Sequence, residues 1–249
     1  MTAYDQDKSS TRLAATIGFY SAALAALTFV IYTVCFAGIA LSSPLFLWTS
    51  LPDYLAYAEA YGGPFQPAAQ VAMLVFGFSF VVLTNSIHAC TRSERRLLTQ
   101  VGISFGSLFA LAIGIHYFAQ LSAVRISIAE GQTGGLEHFV QANPYSILSA
   151  INVLGWTVLL GLASLFLAPV FTSGQLEGLI RIALLSNAVF CLTGSAAYVF
   201  EITWLVFATT TLGMGAAVMV ATTALAIWFG RMRRRKRAIS RNRIEARRA

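Results

Sequence analysis

Sixteen of the 17 lysine and arginine residues flank alternate ends of six long apolar runs, and only Arg125 falls among the other ends. That arrangement puts the runs in an apolar phase and nearly all the positive charge on one side of it. With 57% hydrophobic and 11% charged residues, the chain lies far from the roughly 25% charged composition of soluble domains. Its mean hydropathy is +0.70. A chain of 249 residues has too little core volume to bury so much apolar surface from water, so lipid must cover the rest.

The net charge of +7 would ordinarily raise nucleic acid as a partner. Ten of the basic residues follow Gly230, however, so the charge belongs to a tail and no nucleic-acid partner is expected. Cys35, Cys90 and Cys191 show no metal-binding spacing, and three thiols cannot all pair within one chain. They read as small buried side chains.

About 20 residues suffice to cross a hydrocarbon core. The runs place spans at 13–41, 68–88, 97–118, 147–170, 179–199 and 202–229. Each must be a helix, because an open strand would leave unpaired backbone groups in lipid. The first run is too long for a signal-peptide core and reads as a retained helix. The expected fold is an all-α membrane protein: one domain over 1–230, a polytopic bundle of six transmembrane helices, followed by a basic tail at 231–249.

Basic residues in short loops orient such a bundle. Lys8 and Arg12 precede span 1, Arg92, Arg95 and Arg96 join spans 2 and 3, Arg181 follows the turn after span 4, and the tail follows span 6. With six spans all four groups share one side. Both termini are therefore expected in the cytoplasm of a bacterial cell, with the bundle in its inner membrane.

The two outer loops differ from the inner ones. Residues 42–67 carry Trp48, Tyr54, Tyr57 and Tyr61, spaced for a short helix lying at headgroup depth and ended by Gly62-Gly63-Pro64. This is either an interfacial anchor or an aromatic lid over a ligand pocket. In the second loop, Asn143 before Pro144 is placed to cap span 4 or to start a turn. Small residues at four-residue spacing (Gly18, Ala22 and Ala26; Gly102 and Gly106; Gly213 and Ala217) suit close helix contacts, within the bundle or in a homodimer.

Polar residues inside spans cost free energy unless paired, so they are the first place to look for function. His116 and Gln120 lie one turn apart near the outer end of span 3, Asn152 lies about one turn into span 4, and Tyr198 and Glu201 lie at the turn between spans 5 and 6. If spans 3 to 5 adjoin, these could converge with Glu137 and His138 from the loop above. Arg125, at the mouth of span 3, could pair with Glu130, Glu137 or an anionic headgroup. Two imidazoles and two carboxylates are the right types for a metal site or acid–base work. Their spacing matches no ligand pattern, HExxH is absent, and headgroup depth accounts for the same residues, so no metal or cofactor is expected. Asn187 is expected to bond to a neighbouring helix, and Thr209, Thr210 and Thr211 to their own helix carbonyls. No phosphate-binding or dinucleotide glycine motif appears.

The stretch Asn152-Val-Leu-Gly-Trp-Thr-Val-Leu-Leu-Gly161 to Pro169, then Phe171-Thr-Ser-Gly174 and Leu179-Ile-Arg181, resembles a bacterial family of six-helix inner-membrane proteins. That family has a Gly/Trp-containing fourth helix, a short serine-glycine-basic turn and a closing helical hairpin. The resemblance covers spans 4 to 6; the first half agrees in layout. It implies the fold and the membrane but no activity.

Three functional classes follow. The favoured one is a non-enzymatic protein that binds a lipid or other hydrophobic ligand, or partners a membrane protein or a second copy of itself. The others are an exporter-permease component and a membrane enzyme working at the outer cluster. Anionic lipid is expected at the basic tail, each charge contributing about 1 kcal/mol near the surface. A reporter active only in the periplasm should be active when fused at Gly134 and inactive when fused at Gly230; the reverse pattern would invert the orientation.

Overall fold

The computed structural model describes the backbone of residues 3–246 and the side chains of residues 11–234. Lys8 and the tail beyond residue 234 lie outside the described side chains. Among the described residues the chain is helical with no strand, and six helices are long and apolar enough to cross a membrane. They are α1 (Ala3–Ser42), α3 (Phe65–Cys90), α4 (Ser93–Ala129), α5 (Ile147–Val170), α6 (Gly174–Val199) and α7 (Thr203–Arg234), whose helical backbone continues to Ala246. The short α2 (Leu51–Tyr61) lies in the loop between α1 and α3.

The largest departure from the sequence expectation is α4. It continues beyond residue 118, through a π-helical segment at Gln120–Val124, to Ala129. Residues 119–129 contain no glycine or proline, and Val124 is buried with Leu136 and Val140 against Tyr54 of α2. The helix ends before Gly131, whose φ of 67° opens the loop. Its 37 residues span about 55 Å against a hydrocarbon core of about 30 Å, so its last turns project past the membrane and carry Arg125 with them.

α2 forms where its capping chemistry permits. The Ser50 hydroxyl accepts from the Asp53 amide at 3.3 Å, and the Asp53 carboxylate accepts from the Thr49 and Ser50 hydroxyls at 2.7 and 2.6 Å. Those two donors hold the Asp53 carboxyl below its ordinary range. Gly62 ends the helix, its N–H donating to the Ala58 carbonyl at 2.8 Å.

Each membrane helix packs on the next in sequence, and α7 returns to α1, closing an up-and-down ring. Helices in lipid gain little from burial against one another, so close approach and polar contacts decide the packing. Gly102 and Gly106 face different neighbours. A Cβ on the first would lie 2.8 Å from Leu167 of α5, and on the second 3.1 Å from Phe80 of α3. In the half of the bundle nearer α2, Phe76, Phe109 and Trp156 pack ring to ring, with Phe109 and Trp156 edge to face at 5.0 Å. A second cluster, including Leu83, Leu167, Ile180, Leu225 and Phe229, fills the other half.

The end of the bundle that carries most of the arginines is latched by residues the sequence did not single out for this. Arg95 donates to the carbonyls of Pro169 and Val170, at 3.0 and 3.2 Å, and to the Thr172 hydroxyl at 2.8 Å. Glu177 caps the start of α6 by accepting from the amides of Thr172 and Ser173, and its other oxygen accepts from Trp228 Nε1 of α7 at 3.1 Å. Arg233 lies over the Phe19 ring at 4.3 Å, closing α7 on α1.

At the opposite end, α6 turns into α7 through a Schellman arrangement. The Ile202 amide donates to the Ala197 carbonyl at 2.8 Å and the Glu201 amide to the Tyr198 carbonyl at 3.1 Å. Glu201 occupies the position that favours glycine, with φ 59°. Glu201→Gly should therefore raise the thermal unfolding midpoint, by the equivalent of about 1 kcal/mol. A lowered midpoint would mean that the carboxylate makes a compensating contact.

Candidate functional site

The polar residues expected to converge fall into three groups, and one of them, His116, Gln120 and Tyr198, fastens the loop between α4 and α5 and the first turn of α5. His116 is buried and its Nδ1 donates to the Leu148 carbonyl at 2.9 Å. Because a carbonyl only accepts, Nδ1 carries the proton and Nε2 is left as an acceptor, which makes no hydrogen bond although the Gln141 side chain lies close by. Gln120 clasps the loop from both amide ends: its Nε2 donates to the Phe139 carbonyl at 2.6 Å, and its Oε1 accepts from the Gln141 amide at 3.1 Å. The Tyr198 hydroxyl donates to the Pro144 carbonyl at 3.0 Å. Asn143 starts a turn, its Oδ1 accepting from the Tyr145 amide at 2.9 Å, while Ser146 caps α5.

Charged members of the set stay at the surface. Glu137 and His138 are sequence neighbours 3.8 Å apart, with 42% and 63% of their side chains exposed, which leaves the pair screened by solvent. Among the described residues no carboxylate pairs with Arg125, whose Nε donates to the Leu121 carbonyl of its own helix at 3.0 Å. Glu201 is exposed in its turn.

The aromatic residues of α2 pack on this fastened loop. Phe46 lies 4.9 Å from Tyr57 and 5.7 Å from Tyr54, and Tyr54 is buried with Val124, Leu136 and Val140. Burial there raises the pKa of the Tyr54 hydroxyl above its ordinary value. The space beside α2 measures only about 50 Å³, enough for a few water molecules.

Asn152 lies elsewhere. It lines a cavity of about 480 Å³, within the size range of small-molecule sites. One wall is Phe29, Tyr32, Thr33 and Phe36 of α1. The facing wall is Thr210, Thr211, Leu212, Met214 and Met219 of α7, and the floor between them comes from Met73, Tyr117, Trp156 and Thr157. α6 contributes nothing. Below the cavity α7 holds tightly to α1, where a Cβ on Gly18 would meet the Phe229 ring at 2.5 Å. Beside the cavity the two helices separate, and Thr33, Phe36, Thr211 and Leu212 form exposed lips that open the space sideways towards lipid.

Two of the three π-helical segments, Leu154–Leu159 and Phe207–Met214, form part of this wall. A π segment widens a helix and re-aims its side chains, and such segments recur at functional sites. In each, a threonine hydroxyl takes a carbonyl four residues back: Thr157 that of Val153 at 2.6 Å, Thr209 that of Leu205 and Thr210 that of Val206, both at 2.7 Å. The same bond occurs at Thr222 within regular α-helix, so it permits the widening without dictating it.

The cavity's polar groups are few and uncharged. Trp156 Nε1 donates to the Tyr117 hydroxyl at 3.3 Å, and the Asn152 amide acts on that same hydroxyl. Asn152 Oδ1 is buried without a hydrogen-bond partner. A second buried amide, Asn187 of α6, donates to the Ser164 hydroxyl of α5 at 2.8 Å, a link between neighbouring helices, and its Oδ1 is likewise buried without a partner. Of the eight residues nominated from sequence, Asn152 alone lines the cavity. Tyr32, Tyr117 and Trp156 were missed because aromatic residues at helical spacing read equally well as core.

No family model, curated protein or solved structure matches this chain.

Gln120→Leu removes two bonds to the loop backbone, worth about 1–3 kcal/mol together. It should speed proteolysis and amide exchange over residues 130–146 while leaving exchange in the middle of α3 and α5 unchanged. Equal protection in both proteins would show that the clasp does not hold the loop.

Proposed function

We propose that the chain is a non-enzymatic, multi-pass protein of a bacterial cytoplasmic membrane that takes a hydrophobic ligand from the bilayer into the cavity between α1 and α7. The observation that carries this reading is the lateral opening of a cavity of about 480 Å³ within the bundle. Apolar walls of this extent lose their packing contacts if nothing fills the space, and the lateral opening admits lipid to them. Something of lipid character therefore occupies it. Flexible Met73, Met214 and Met219 side chains, set among rings, adapt to irregular apolar surfaces.

The arginine-bearing end, with Arg92, Arg95, Arg96, Arg181 and Arg231, is taken as cytoplasmic by the positive-inside rule. On that orientation the cavity opens into the outer half of the bilayer and the basic tail lies against the anionic inner leaflet. The reading needs no chemistry from the exposed Glu137, His138 and Glu201.

Gly215→Leu tests it. Gly215 lines the cavity, and a Cβ there meets nothing nearer than the Phe29 ring at 3.8 Å, so the leucine side chain would extend into the space without breaking the helix. Native mass spectrometry of the wild-type chain released from nanodiscs should show a retained lipid-sized adduct. In Gly215→Leu that adduct should fall several-fold. Equal adducts in the two proteins would remove the cavity as the ligand site.

A further inference from the structure

A laterally open cavity admits any acyl chain, so the identity of a preferred ligand rests on the polar end. Taking the cavity to be a ligand site, as proposed above, its hydrogen-bonding inventory restricts what that ligand carries there. No charged side chain lines it. Arg125 and Glu201 are exposed at the end of the bundle. A phosphate or carboxylate brought to the polar end would lose its hydration without meeting a counter-charge, at a cost of several kcal/mol.

Three of the six lining hydroxyls are already committed. Thr33 donates to the Phe29 carbonyl at 2.9 Å, Thr157 to Val153 at 2.6 Å and Thr210 to Val206 at 2.7 Å. Tyr117 differs. Its oxygen accepts from Trp156 Nε1, and among the described residues its own proton goes to no acceptor. Beside it the Asn152 amide carries an oxygen with no donor. Tyr117 and Asn152 thus offer an unused donor and an unused acceptor together, with no charge. Asn152 is five residues inside the first residue of α5, about 8 Å along the helix, so these groups lie within the bundle and not at its rim.

A hydroxyl is the smallest neutral group that both donates and accepts. An ester, ketone or quinone carbonyl only accepts, and would leave Asn152 Oδ1 unpaired at a cost of about 1–3 kcal/mol. We propose that the cavity selects an uncharged amphiphile with a hydroxyl head on a long apolar body, the hydroxyl donating to Asn152 and accepting from Tyr117. The body lies between Phe29 and Phe36 on one side and Met214 and Met219 on the other, and leaves towards lipid between α1 and α7. Tyr117 and Asn152 determine specificity; the rings and methionines supply the general affinity for a hydrocarbon chain.

Three probes with one chain and three heads separate these contributions: dibrominated stearyl alcohol, methyl dibromostearate and dibromostearate. The full-length chain in nanodiscs is titrated with each, and quenching by bromine is read from Trp156 as the difference between wild type and Trp156→Phe. The alcohol should reach half-quenching at about tenfold lower concentration than the ester or the acid, the effect of one well-placed hydrogen bond. Asn152→Leu should bring the alcohol to the level of the ester without changing the ester itself. If the ester or the acid equals the alcohol in the wild-type chain, the hydroxyl assignment is wrong while the cavity remains a ligand site. If none of the three quenches Trp156, the ligand site itself is refuted, and this inference with it. Should Asn152→Leu fail to reconstitute, the ranking of the three heads in the wild-type chain still decides the question.

Discussion

A backbone in hydrocarbon has no water to satisfy its amides and carbonyls, so every such group must find its partner inside the protein. That requirement makes each of the six apolar runs a helix. It also makes any departure from regular helix informative, because freed carbonyls must be taken up by something else. In the π segments of α5 and α7, threonine hydroxyls take up such carbonyls, and the helices widen without leaving polar groups bare. The cavity lies where these two widened stretches and the C-terminal half of α1 meet.

Elsewhere the bundle closes by contacts that suit lipid. Glycines on α4 admit Leu167 and Phe80, and polar side chains bond main-chain groups on neighbouring segments. The two ends are built differently. At the arginine-rich end, Arg95 and Glu177 tie four helices through carbonyls, amides and one indole. At the other, Gln120 and Tyr198 hold a long loop by its backbone, His116 holds the first turn of α5, and the aromatic face of α2 packs on that loop. Hydrogen-bonding capacity is left unfilled at His116 Nε2, Asn187 Oδ1, Tyr117 and Asn152, and of these residues Tyr117 and Asn152 line the cavity.

Much of this was legible in the residues themselves. The expected limits of the fourth span, 147–170, coincide with α5, and those of the others differ by a few residues at most ends, because hydrophobic length is a direct requirement of the bilayer. The extension of α4 to Ala129 was not foreseen, since its last turns are stabilised by packing on α2 and not by hydropathy. Asn187 bonds across to α5 as its depth implied. Reading intramembrane polar residues as candidates singled out His116, Gln120, Asn152 and Tyr198, but spacing alone does not separate a side chain that fastens a loop from one that faces a cavity. Nothing in the pattern marked the π segments or the parting of α1 from α7. Both depend on how neighbouring helices meet, and the residues concerned, Thr210, Leu212 and Met214 among them, look like any other apolar face.

The central claim is that the space between α1 and α7 holds an amphiphile with its polar end at Tyr117 and Asn152. Crystals grown from a lipidic phase without added ligand test it most directly, through the density in that space. The account predicts an elongated non-protein feature that passes between Phe36 and Leu212 and ends within hydrogen-bond distance of the Asn152 amide and the Tyr117 hydroxyl. Closure of α7 onto α1 with Leu212 filling the space, or a chain of ordered waters in place of a hydrocarbon body, would contradict it.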